Sequence, residues 1–136
     1  MRVLSVYLQD EVTEWCLVVD NDVAWGVIPG DGLWPQIEQV LDRGLGWSEE
    51  DPLRITVAGN VSRDQKISLQ TWEGTMPGVE VYFYSGWEVA GCCRSARRAT
   101  VPVAESMREH GLLDDAAPAR RAAAVALDMA YRYWAK

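Results

Sequence analysis

The chain has 136 residues, 49% of them hydrophobic and 24% charged, a balance that sustains one packed domain and excludes disorder along its length. No apolar run approaches the roughly 18–20 residues of a membrane span, so one cytoplasmic domain over residues 1–136 is expected. The net charge of −7 is uneven, −9 over residues 1–52 and +2 over residues 53–136; such a field repels nucleic acid and anionic membranes and steers basic partners inward.

The opening MRVLSVYLQDEVTEW alternates like a strand and lacks the apolar block of a signal peptide. In residues 3–9, Val3, Ser5 and Tyr7 share one face and Leu4, Val6 and Leu8 the other. WCLVVDNDVAWGVI (15–28) reads as a hairpin around Asp20-Asn21-Asp22, residues that suit turns. A three-residue loop puts Trp15, Leu17, Val19, Val23, Trp25 and Val27 on one apolar face, whereas a two-residue loop mixes that set. PGDG then breaks the strand. Leu33, Ile37, Val40 and Leu41 fall at helical spacing, with Pro35 in the first turn and Gly44 as a C-terminal stop.

LRITVAG (53–59), KISLQTW (66–72), VEVYFY (79–84) and WEVAGCC (87–93) read as four successive strands with short connections, hence an antiparallel meander. Two helices close the chain. The first is capped by Thr100, has Pro102 just inside and stops at His110-Gly111. The second, over about 116–134, is capped by Asp114 or Asp115, with Ala122, Val125, Met129 and Tyr133 on its core face. The expected fold is α+β: an antiparallel sheet of six to seven strands, order βββ-α-ββββ-αα, with helices packed on it. Without a βα repeat, a parallel Rossmann-like sheet is disfavoured.

Cys16, Cys92 and Cys93 are too few for a disulfide scaffold and lack the spacing of a zinc site. On a strand, Cys92 and Cys93 point to opposite faces. The sole histidine, His110, at a helix end about 15 Å from the arginines, is a better helix-end cation than a catalytic base. RSARRAT places Arg94, Arg97 and Arg98 ahead of a helix N-terminus, an anion-site candidate. IPGDGLW has neither a dinucleotide fingerprint nor a P-loop, and Glu49-Glu50-Asp51 matches no EF-hand register. No cofactor or metal is called for.

Seven tryptophans need an explanation. Trp15, Trp25 and Trp87 fit inward strand positions. Trp34 and Trp47 flank the first helix beside Gly-rich loops and read as core residues, as interface anchors near acids, where aromatics anchor and charges steer, or as the lining of a pocket for a flat ligand.

The leading expectation is therefore a small acidic, non-catalytic protein-binding module of the inhibitor, immunity or DNA-mimic type. It would engage a basic protein partner, not nucleic acid or membrane, through Asp31, Trp34, Trp47, Glu49, Glu50 and Asp51. The alternative is a small enzyme or anion-binding domain using Arg94, Arg97 and Arg98 with a Cys92 or Cys93 thiol. A third is a homo-oligomer subunit burying a sheet edge.

Overall fold

The structure, a computed structural model, describes residues 1–134, without the side chains of Tyr133 and Trp134. Its elements run β1 (Arg2–Leu8), β2 (Val12–Val19), β3 (Asp22–Pro29), α1 (Leu33–Asp42), β4 (Leu53–Gly59), α2 (Arg63–Glu73), β5 (Val79–Tyr84), α3 (Gly86–Ala96), α4 (Pro102–Glu109) and α5 (Arg120–Trp134).

The α+β class stands, but the sheet is mixed and has five strands in the order β3-β2-β1-β4-β5. β1, β2 and β3 are antiparallel neighbours, while β1, β4 and β5 run parallel. Two of the expected strands are helices. Residues 66–72 lie in α2 and residues 87–93 in α3. Each helix opens on a capping box, Ser62 with Gln65 and Ser85 with Glu88, in which side chain and backbone satisfy each other reciprocally. With those helices in place the chain alternates β3-α1-β4-α2-β5-α3, and helical crossovers are what parallel pairing requires.

The hairpin also differs. Val19 pairs with Asp22, so the loop has two residues, and Asp20 turns it at φ 54°. Val23, Trp25 and Val27 therefore sit opposite Val18, Cys16 and Glu14, on the other face from Trp15, Leu17 and Val19. A sheet covered on both faces removes the need for one continuous apolar face.

One face of the sheet carries Leu4, Val6, Leu8, Leu17, Ile55 and Val57 against α1 and α2. From α1, Leu33, Ile37 and Val40 enter this core, each contributing roughly 1.5–3 kcal/mol on burial. The other face carries small residues, Ser5, Cys16, Thr56 and Ala58, all buried. Against it lies α5, whose Ala122, Ala123, Ala124, Val125, Ala126, Leu127, Met129 and Ala130 are buried beneath α3 and α4. Small side chains on both sides let helix and sheet approach closely. The expected place of Tyr133 on this core concerns a side chain outside those described.

α4 is preceded by Val101 rather than Thr100 as its cap, although Pro102 does open it and Gly111, at φ 68°, follows its end. α5 begins at Arg120, and Asp115 instead pairs with Arg97 and Arg120. Trp87, expected in the core, is 82% exposed, and Trp25 is partly exposed with its ring 4.7 Å from that of His110. No helix among the described residues is long and apolar enough to cross a membrane.

Candidate functional site

Open sheets with parallel strands hold ligands beyond the strands' carboxyl ends, where strand direction or order switches. Here the switch is β1, parallel to β4 on one side and antiparallel to β2 on the other. Near its carboxyl end, Glu14, Tyr7, Ala58 and Tyr84 form a row across four strands, on the face covered by α5.

Glu14 is a buried carboxylate, 3% exposed at its side chain. It accepts the backbone N–H of Arg121 at 3.1 Å, the Arg121 guanidinium at 3.0 Å and the Gln9 amide at 2.5 Å. A carboxylate at the N-terminus of α5 is favoured by the helix dipole as well as by its partners. The Arg121 guanidinium carbon stands 5.2 Å from the centre of the Tyr7 ring, within the range of a cation–π contact. Beyond this row lies a depression of about 360 Å³ bordered by Tyr7, Leu8, Gln9, Asp10, Glu11 and Asn60. The Asn60 amide donates to Asp10 at 2.6 Å.

Arginines gather alongside. Arg97 and Arg120 converge on Asp115, an exposed carboxylate worth little as a fixed partner. Arg108, from α4, donates to the carbonyls of Ala96 and Arg97 at 3.3 and 3.4 Å and to that of Ala99. It thereby caps the end of α3 and is spent there. Arg94 and Arg98 are exposed and have no carboxylate partner among the described residues. Besides preceding α4, Arg94 lies in the last turn of α3 and Arg97 is its C-cap, where the dipole favours cations. Arg98 also borders a groove of about 310 Å³ between α3 and α5, floored by Ala96, Ala124 and Leu127. At its side, Asp128 accepts from Tyr84 at 2.7 Å and pairs with Arg132 at 3.0 Å.

The thiols are not activated. Burial pushes Cys92 up to about 12, with Asp128 adding to the shift, and pushes Cys16 up to about 12. Cys93 is raised by burial too, despite Arg120 and Arg121 pulling the other way. Cys92 and Cys93 stand on a helix, with Cys92 packed into the core, so the strand argument does not apply, and burial raises both thiols against the thiolate that the thiol-based alternative needs. Among the described residues no group of three or more His, Cys, Asp or Glu side chains converges to hold a metal ion.

The residues expected to meet a basic protein are not brought together. Asp31 follows β3, at the carboxyl end of β1, where it accepts from the Leu33 N–H at 3.1 Å and the Gln65 amide at 2.6 Å. Trp34 packs into the core edge-on to Trp72, with ring centres 5.6 Å apart, and Trp47 packs against the same core. Glu49 and Glu50 are exposed, but at the opposite end of the sheet, in the loop that enters β4. There Asp51 pairs with Arg2 and the N-terminal ammonium, which hold its carboxyl below the usual range.

No protein-family model matches the sequence, and no curated protein matches it. A solved structure similar to this chain is that of the Fowlpox virus resolvase in complex with substrate Holliday junction DNA. The likeness has a TM-score of 0.44 and 13% identity, covering 98% of this chain and 99% of that one. The reading as an acidic, inhibitor-like protein-binding module is corrected on the geometry of this chain: the anchors that reading relied on are packed into the core or divided between two ends of the sheet. The exclusion of nucleic acid is corrected as well, because it rested on the acidic excess of residues 1–52, whereas Arg94, Arg97 and Arg98 gather at the end of α3.

Glu14, Tyr7, Arg120 and Arg121 escaped the reading of the sequence. Glu14 and Arg121 lie 107 residues apart, and neither spacing nor motif links them. The exposure of Trp87, by contrast, was signalled: SGWE is a capping box, and it moves this tryptophan from a strand to the first turn of a helix.

Proposed function

We propose that this chain binds nucleic acid through its phosphate backbone, using Arg94, Arg97 and Arg98 at the end of α3 together with Arg120. The observation that carries the reading is the arginine cluster itself. Arg94 and Arg98 reach solvent without carboxylate partners among the described residues, although the chain as a whole carries −7. Asp115 is exposed and shared, so an incoming phosphate can take its place on Arg97 and Arg120. Arg121 is held by Glu14 and Tyr7 and shapes the edge of the patch instead of leaving it.

Hydrolysis is not part of the proposal. A two-metal phosphodiester site needs converging carboxylates. The buried carboxylate at this end of the sheet, Glu14, is engaged by an arginine, a backbone N–H and an amide.

Fluorescence anisotropy with labelled single-stranded, duplex and four-way-junction DNA tests the reading. Binding is expected at low salt with a Kd on the order of 1–100 µM. The double variant R94E/R98E is expected to weaken binding to all three by at least about tenfold, each reversal replacing an attraction by a repulsion. No binding by the unaltered chain at low salt, or full binding by the double variant, overturns it.

A further inference from the structure

Trp87 is the most exposed large apolar side chain among the described residues, at 82%, against 51% for Tyr131 and 50% for Ile67. Its position is not required by the helix it opens. The capping box is made by Ser85 and Glu88, and the buried face of α3 is formed by Val89, Cys92 and Ala96. At 100° per residue, Trp87 stands on the opposite side from all three.

That outward side has its own order. Trp87 is followed on it by Ala90 and Gly91, then by Arg94, seven residues and two turns further on, while Arg98 is exposed just past the end of the helix. An exposed indole is thus followed by a shallow stretch of small residues and then by the exposed guanidinium groups. About 10 Å separates the levels of Trp87 and Arg94 along the helix axis. The helix starts at the carboxyl end of β5, and its far end meets α5 near Arg120.

We infer that Trp87 stacks on an unpaired base of the nucleic acid whose phosphates the α3 arginines hold; the inference rests on the binding reading above and names its preferred substrate, a strand with accessible bases. The chemistry is that of single-strand platforms, in which aromatic faces stack on bases and cationic groups follow the backbone. Charge complementarity selects this occupant over an apolar protein surface. A purely hydrophobic partner would leave Arg94 and Arg98 facing it without counter-charge.

The test compares a labelled 20-nucleotide single strand with a blunt duplex of the same sequence, by anisotropy at low salt. The unaltered chain should prefer the single strand. W87A should lose roughly tenfold or more on the single strand and leave duplex binding unchanged, while W87F keeps most of the single-strand affinity. R94A should weaken both probes alike. Equal single-strand binding by W87A and the unaltered chain overturns the stacking role and leaves the phosphate reading standing. Equal losses by W87A on both probes overturn the role as well, since stacking on an unpaired base cannot affect a duplex. If the unaltered chain binds neither probe, the phosphate reading falls and this inference falls with it. Because Trp87 is exposed, thermal unfolding of W87A should match that of the unaltered chain.

Discussion

Cys16 and Cys92 have thiols pushed up to about 12, and each owes the shift first to burial. Both therefore remain protonated at neutral pH, and a thiolate is what alkylates. Iodoacetamide at pH 7 is expected to label the half-buried Cys93 ahead of the other two, and all three more slowly than free cysteine. Rapid modification of Cys92 would contradict this. The same shifts bear on stability. The ordinary thiol value is 9.0, so between about 9 and 12 the unfolded chain releases protons that the folded one retains. The contribution is fully present below pH 9 and is lost as pH rises toward 12. Urea midpoints measured from pH 8 to about 10.5 should fall, and C16A should fall less steeply even if it starts lower. Parallel slopes would show that Cys16 has no part in the decline. At the carboxyl end of β1, removing Glu14 leaves the Arg121 N–H, its guanidinium and the Gln9 amide without their acceptor. E14A is expected to cost about 2 kcal/mol in unfolding free energy, read by urea titration.

At the scale of elements, two four-residue stretches account for most of the difference between the expected and observed folds. SRDQ and SGWE each place a serine three residues ahead of Gln or Glu, and both are helix N-termini. KISLQTW and WEVAGCC, read without those caps, have enough β-branched and aromatic residues to pass as strands. S62A and S85A are each expected to lower stability by roughly 1 kcal/mol, with faster amide exchange in the first turn of the helix concerned. α1 was legible because Leu33, Ile37 and Val40 repeat at helical spacing. β1 and β4 were legible because their alternation is regular. The parallel pairing of β1 with β4 was not legible, because it depends on what the following segment becomes. That pairing is closed by Gly59, whose φ of 87° and approach to Leu8 admit no side chain: a Cβ there would lie 2.1 Å from the Leu8 carbonyl oxygen. G59A should destabilise the chain by several kcal/mol or prevent folding, whereas G86A, with open space around its Cβ, should not.

Across the whole molecule, charge is what the sequence displayed most plainly and what was hardest to convert into function. The arginine turn was legible from RSARRAT, but its union with Arg120 arises only when α5 packs beside α3. The acidic excess of residues 1–52 likewise looked like one surface, while folding separates Asp31 from Glu49 and Glu50. A polyanion approaching α3 meets a repulsive field at long range and guanidinium groups at contact, and salt changes the two differently. Screening at about 0.1 M confines charge effects to roughly 10 Å, which removes most of the distant repulsion. Counterion release at the contact itself persists as a linear dependence of log affinity on log salt, about −0.9 for each phosphate neutralised on duplex DNA. If Arg94, Arg97, Arg98 and Arg120 each neutralise one, the slope should be about −3.6. R94A should flatten it by about 1. E49Q/E50Q, remote from the patch, should raise affinity slightly at low salt and leave the contact number unchanged. Anisotropy titrations across about 20–200 mM NaCl separate these outcomes. A flat slope in the unaltered chain would mean that the arginines are not the contact, and a slope altered equally by R94A and E49Q/E50Q would place the field of the whole molecule, rather than α3, in control.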